Sequence, residues 1–155
     1  SGSAKDPVRP LSLSLASGAS YVARTAAVNP NQAAEILAEA IEHDGFAHVD
    51  FLTQCPTWNK DARQYVPYTD VQDSDDYDFD VTDRTEAGQI MYEVESKLYE
   101  GEVLTGRFYR DEERPSYGQE KRSTGEMPEE PLAERYFDEG AEWERSADSL
   151  IDKHT

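Results

Sequence analysis

Apolar residues fall along this chain in periodic blocks divided by polar breaks rich in Pro and Gly. In residues 10–18, Leu11, Leu13 and Leu15 alternate as in a strand. Pro10 in a first turn and Gly18 at the end fit a short helix instead, so the pattern leaves both readings open. Residues 21–24, Tyr-Val-Ala-Arg, read more clearly as a short strand. Asn29 then stands where a helix N-cap is expected, with Pro30 at the first helical position. Ala33, Ile36, Leu37, Ala40 and Ile41 follow at i, i+3, i+4 spacing and define one apolar helix face. Gly45 is the expected stop. Residues 46–52, FAHVDFL, read as a second strand.

Strand, helix and strand over about thirty residues make a βαβ unit, whose strands are parallel and whose crossover is right-handed. Residues 60–82 show no clear period and include the acidic tract DSDDYDFD at 73–80. A second helix is expected from Asp83 to Tyr99, with Ala87, Ile90, Met91, Val94 and Leu98 on one face and Gly101 ending it. Residues 102–110 read as a strand and 111–131 as a long polar loop. A last helix is expected near 131–152, with Leu132, Tyr136, Trp143, Ala147, Leu150 and Ile151 at intervals of three, four or seven. The fold class is α/β, built on a parallel βαβ unit with a helical or irregular C-terminal extension. No internal repeat is evident.

Charge narrows the function classes. Thirty-three acidic residues face fifteen basic ones, for a net charge of −18. Nucleic acid and anionic membranes are polyanions, so neither is an expected partner. Arg outnumbers Lys among the basic residues. An acidic surplus with scarce Lys fits a salt-rich cytoplasm and fits an ordinary acidic protein equally well. The mean hydropathy is −0.82, and no apolar run approaches the roughly 20 residues of a transmembrane helix. The N-terminal residues lack the basic-then-apolar order of a signal peptide, so a cytoplasmic location is expected.

Several familiar chemistries fail on spacing. A Ca²⁺ loop starting at Asp73 needs Gly at its sixth position and Glu at its twelfth, where this chain has Asp78 and Arg84. His43, His48 and His154 have no zinc-site spacing. There is no G-x-S-x-G elbow, no G-x-G-x-x-G and no Walker A pattern. What remains is Cys55, the single cysteine, which rules out an internal disulfide framework. A free Cys is ordinarily a small buried hydrophobe. Cys55, however, follows a strand end and precedes Pro56, and one common iron–sulfur run ends in Cys-Pro. In open α/β sheets ligands gather beyond the carboxyl ends of the strands. A four-iron cluster needs four thiolates, so if Cys55 is a ligand, three more come from outside this chain.

Four blocks in order carry a resemblance. Gly18, Ala19, Val22, Ala23 and Arg24 form the first. Ala40, Ile41, His43, Gly45 and Phe46 form the second. Gln54, Cys55, Thr57 and Asn59 form the third, and Gly106, Phe108, Tyr109, Arg114, Pro115 and Tyr117 the fourth. Together they resemble the C-terminal part of the β subunit of 2-oxoacid:ferredoxin oxidoreductases, over most of residues 10–118, and the acidic composition resembles a haloarchaeal member. The resemblance implies a partial thiamine-diphosphate-binding fold: residues 1–60 as the end of the thiamine-diphosphate-binding α/β domain, 61–118 as the subunit's C-terminal domain, and 119–155 as an acidic helical tail. It implies coenzyme-A-dependent oxidative decarboxylation of a 2-oxo acid, pyruvate or 2-oxoglutarate. Electrons pass through a [4Fe–4S] cluster to ferredoxin, in complex with an α subunit. It makes Cys55 a metal ligand, the fourth thiolate of that cluster. The family's Gly-Asp-Gly…Asn motif for Mg²⁺ and thiamine diphosphate is absent, as is its Cys-x-x-Cys. Both are expected upstream of Ser1, so no catalytic or thiamine-binding residue is assigned here, and the chain is expected to be inactive alone. Two other readings stand beside this one: a non-catalytic acidic interaction module with Cys55 simply buried, and a nucleic-acid mimic, which fits the charge but not the βαβ pattern.

Overall fold

The computed structural model describes residues 7–53, 57, 68–74 and 76–125. The chain divides into two units, Ser1–Ser116 and Tyr117–Thr155. In the first, the elements run in the order α1 (Pro10–Ala16), β1 (Tyr21–Ala26), α2 (Pro30–Glu42), β2 (Ala47–Leu52), β3 (Tyr68–Asp70), a 3₁₀ turn (Val71–Asp73), α3 (Arg84–Glu100) and β4 (Val103–Arg110). The strands form one sheet in the order β2-β1-β4-β3. β1 and β2 are parallel, with Tyr21 opposite Ala47 and Ala26 opposite Leu52. β4 runs antiparallel to β1 and parallel to β3. The expected βαβ unit is therefore present, and the α/β class holds.

β1 is buried along its whole length, because helices cover both sheet faces. On one face α2 packs Ile36 and Ala40 over Tyr21, Ala23, Ala47 and Val49. On the other, Leu11 and Leu15 of α1 join Ala87, Met91 and Val94 of α3 over Val22, Leu104, Phe108 and Tyr109. Two neighbouring β4 residues reach the same core because the β1–β4 register shifts between Val22 and Ala23, pairing Val22 with Tyr109 and Ala23 with Arg107. Phe108 is the extra residue of this bulge, and the bulge turns its neighbour inward.

Pro10 and Gly18 decided the ambiguous first segment. Residues 10–16 are helical, and Leu13 points to solvent. The cap of α1 comes from far along the chain: Glu95 of α3 accepts from the Leu11 N–H (2.7 Å), the Ser12 N–H (3.3 Å) and the Ser12 hydroxyl (2.6 Å). A carboxylate there satisfies orphan donors and complements the helix dipole, which explains a buried Glu within an apolar helix face. At the other end of α1, Arg84 Nη2 donates to Leu15 O at 2.6 Å.

Three expectations need correction. Leu37 and Ile41 do not face the core: Ile41 is 83% exposed and Leu37 40%. The apolar arc of α2 is wider than the sheet beneath it, so its far side is left uncovered. The stretch read as irregular contains β3 and the 3₁₀ turn, a three-residue strand being too short to show a period. The polar segment 111–131 contains a short helix, α4 (Tyr117–Ser123), in the second unit. The helix expected at 131–152 lies outside the described residues.

Candidate functional site

β1 and β2 run side by side to their carboxyl ends, Ala26 and Leu52, and the chain leaves β2 toward Cys55. Cys55 itself, with Gln54, Trp58 and Asn59, lies outside the described residues. What the structure defines is the frame that precedes them. Ala27 N–H donates to Leu52 O (2.9 Å), tying the two strand ends together. Asn29 then opens α2, its side chain accepting from Gln32 N–H at 3.3 Å.

Each face of the sheet carries a buried polar pair near this end. On the α1 face, Arg24 is 1% exposed and donates from Nε to Asp50 Oδ2 at 2.8 Å. The two residues are register partners, so the ion pair bridges β1 and β2. Among the described residues Arg24 Nη1 and His48 Nε2 are buried and meet no hydrogen-bond partner. On the α2 face, Gln32 Nε2 donates to Asp70 Oδ2 (2.5 Å) and Thr105 Oγ1 (3.0 Å), while Thr25 Oγ1 donates to Gln32 Oε1 (3.0 Å). One amide thus links β1, β3, β4 and the first turn of α2. Gly106 makes room for this row: a Cβ there meets Asp70 Oδ1 and Val71 Cγ2, each at 2.8 Å, and also Gln72 Oε1.

A second polar group fastens α2 to the other end of β1. Arg107 of β4 grips Glu39 with Nε (2.5 Å) and Nη2 (2.7 Å), and the Tyr21 hydroxyl donates to Glu39 at 3.1 Å. The Arg107 guanidinium holds the Glu39 carboxyl below its usual range against the opposing effect of burial. Burial pushes the Tyr21 phenol up to about 12, with the Glu39 charge and hydrogen bond adding to it. An acid whose pKa is higher folded than unfolded stabilises fully below the unfolded value, near 10, and loses that contribution as pH rises through about 12. Stability is therefore expected to fall by about 2–3 kcal/mol over that window. Urea titrations at stepped pH, read against Tyr21→Phe, check this: the variant should lose most of the alkaline slope.

His43 closes α2 and places Nε2 2.8 Å from Ser20 Oγ. Gly45 works here as a close-approach residue, since a Cβ would meet Ser20 Oγ and His43 Nε2. Arg114 donates to Gly18 O at 3.0 Å. Three of the four sequence blocks therefore touch in space: the first meets the second at Ser20–His43 and the fourth at Gly18–Arg114. Gln32, Asp70, Thr105 and Glu95 gave no sequence signal, because each is one polar residue whose partner lies far off in the chain.

An open cleft of about 440 Å³ sits at the far end of β4, lined by Thr82, Arg110, Asp111, Glu112 and Glu113. Arg110 is neutralised there by Glu112 at 2.9 Å, which leaves an acidic lining. Among the described residues no three His, Cys, Asp or Glu side chains are grouped to hold a metal ion. Among the same residues no helix is long and apolar enough to cross a membrane.

No protein-family model matches the chain. It is 33% identical over 121 residues to a 2-oxoacid:ferredoxin oxidoreductase subunit beta of Sulfolobus sp, a match covering 72% of this chain and 38% of that protein. It is 29% identical over 144 residues to subunit beta of 2-oxoacid:ferredoxin oxidoreductase 2 of Aeropyrum pernix, covering 87% of this chain and 46% of that one. Its fold is similar to a solved 2-oxoglutarate:ferredoxin oxidoreductase from Magnetococcus marinus, with a TM-score of 0.66 and 30% identity over 81% of this chain and 40% of the other. That structure has 2-oxoglutarate, coenzyme A and succinyl-CoA bound. The chain spans less than half the length of these relatives.

Proposed function

We propose that this chain is the C-terminal part of the β subunit of a 2-oxoacid:ferredoxin oxidoreductase, and that Cys55 supplies one thiolate of its [4Fe–4S] cluster. The observation that carries this reading is the joint likeness of sequence and fold to such an enzyme, 30% identity at a TM-score of 0.66 over 81% of the chain. The overall reaction converts a 2-oxo acid, coenzyme A and two oxidised ferredoxins into acyl-CoA, CO₂, a proton and two reduced ferredoxins. An α subunit completes the enzyme, and the acidic surplus with scarce Lys supports a salt-rich cytoplasm as its setting.

The donor chemistry of this chain does not fit a complete cofactor set. One cysteine provides one of four cluster thiolates. With no Gly-Asp-Gly motif in the sequence, thiamine diphosphate and Mg²⁺ have no assigned holder here. No catalytic step is therefore assigned to these residues. Their role is to present Cys55: the Arg24–Asp50 pair and the Ala27–Leu52 bond fix the end of β2 three residues before it.

The test is Cys55→Ser in the complete α/β enzyme. Iron per β subunit and the cluster's visible absorbance should both drop to near zero, while assembly with the α subunit persists. Unchanged iron content and ferredoxin reduction would remove Cys55 as a ligand. The 155-residue chain by itself should bind no thiamine diphosphate by calorimetry.

A further inference from the structure

We propose that Ser12 is a phosphorylation site and that α1 is the latch it opens. A phosphoryl group on Ser12 breaks both ties that hold the start of α1 to α3. The geometry of these two helices carries the assignment, whatever reaction the complete subunit performs.

The first tie runs through Ser12 itself. Its hydroxyl donates to Glu95 Oε2 at 2.6 Å, and its N–H donates to the same oxygen at 3.3 Å. Glu95 is 1% exposed, so this contact sits in a setting from which water is excluded. Arg9 makes the second tie. Its Nη1 donates to Tyr92 O (3.1 Å) and Ser96 Oγ (3.0 Å), and its guanidinium lies 4.1 Å over the Tyr92 ring. Arg9 is the N-cap residue of α1 and Ser12 belongs to the first turn that follows. One cation, one hydroxyl and one buried carboxylate therefore meet at a single point between the two helices.

A phosphoryl group on Ser12 Oγ carries about −1.5 to −2 charges at neutral pH. It removes the proton that Glu95 accepts and sets anionic oxygens against a buried carboxylate, which disrupts by repulsion and by desolvation. It also offers Arg9 a stronger partner than the neutral oxygens of Tyr92 and Ser96. One modification thus repels Glu95 and draws Arg9 off α3. What still holds α1 is the packing of Leu11 and Leu15 and the Arg84 bond to Leu15 O. Seven residues are too few to stay helical once undocked, so α1 opens from its first turn. The same shortness gives a kinase its access. Ser12 is half-buried between exposed Val8 and Leu13, and a marginal helix opens locally without the sheet. The neighbouring serines do not serve: Ser14 is buried on Leu11 O, and the Ser17 hydroxyl turns to Leu13 O.

The phosphoryl donor is a nucleoside triphosphate, and the transfer needs a protein kinase. Ser12 Oγ attacks the γ-phosphorus, and the bond from that phosphorus to the bridging oxygen breaks. The nucleoside diphosphate leaves and the hydroxyl proton passes to the base of the kinase. Nothing is oxidised or reduced. Hydrolysis of the phosphoester by a phosphatase returns the hydroxyl and closes the latch.

Two measurements test this. Peptide mass spectrometry of the protein from its own cells, purified with phosphatase inhibitors, should find phosphate on Ser12. Hydrogen exchange then compares the unmodified chain with the same chain carrying phosphoserine at position 12. The amides of Leu11, Leu13 and Ser17 should exchange roughly 100-fold faster or more, and those of β1 far less so. Ser12→Ala loses the hydroxyl bond without adding charge and should speed the α1 amides only about tenfold. Glu95→Gln isolates the repulsion, since its amide still accepts from Leu11 N–H and donates to a phosphate. In that variant phosphoserine should speed exchange less than about threefold. The proposal is overturned if protein from its own cells carries no phosphate on Ser12, or if phosphoserine opens α1 no more than Ser12→Ala does. It is overturned as well if Glu95→Gln leaves the phosphoserine effect undiminished. Amides of β1 that quicken as much as those of α1 would show that the whole unit unfolds, and α1 would then be no latch.

Discussion

Gly106→Val should destabilise the chain by about 3–5 kcal/mol, a large share of the roughly 5–15 kcal/mol that holds a domain of this size. Two costs combine. Gly106 has φ +128°, a conformation that a side-chain-bearing residue adopts at about 1–3 kcal/mol. Its Cβ also collides with Asp70, Val71 and Gln72 together, and overpacking costs about 1–3 kcal/mol more. None of these neighbours is free to give way. Asp70 holds Gln32 and the Gln72 N–H, while Gln72 exchanges two hydrogen bonds with the Arg107 backbone. Gly101→Ala is the internal comparison: φ is +97° there, yet a Cβ meets nothing within 4 Å, so only the backbone term of about 1–2 kcal/mol applies. Urea unfolding of both variants checks the prediction. Equal losses at the two sites would show that the collision at Gly106 is relieved by movement.

Arg24→Met is the second large effect, about 2–4 kcal/mol. It strips the partner from Asp50, whose side chain is only 19% exposed, and a stranded partly buried carboxylate is what makes breaking such pairs costly. Removing both charges in Arg24→Met/Asp50→Leu should restore most of the loss, since desolvation offsets much of what a buried pair contributes. The orphaned Nη1 makes this pair a poorer bargain than most. If the double variant is as unstable as the single one, Arg24 acts through its packed stem and not through its charge.

These two residues also mark how far the sequence could be read. Asn29 and Pro30 announced the start of α2, Asp83 that of α3 and Gly101 its end, because caps act within one turn of chain. Arg24 was legible only as the basic end of the first sequence block, and its partner waited for the β1–β2 register. The width of the α2 apolar face misled for a physical reason: periodicity reports which residues avoid water, not how broad the covering surface is. Leu37 and Ile41 satisfy the period and still find no sheet beneath them. Glu95 was invisible because its reason for being buried, the exposed N–H groups of α1, lies 84 residues away. Of the site, the four blocks were legible, and the geometry linking three of them was not. Nothing in the spacing of Ser20 and His43, or of Gly18 and Arg114, says that they touch.

The strand order carries a consequence for the order of events on the ribosome. Among the described residues β4 is the last strand made, yet it lies between β1 and β3, so the centre of this sheet stays open until residue 110 has emerged. α1 waits almost as long, because its seven residues are too few to hold a helix unaided and its cap is Glu95. At about 5–20 residues per second the nascent chain carries Leu11 and Leu15 uncovered for roughly 4–17 s. Throughout that interval the acids from Glu35 to Glu95 have been added to the chain, and their mutual repulsion opposes association of neighbouring nascent chains until the strand is in place.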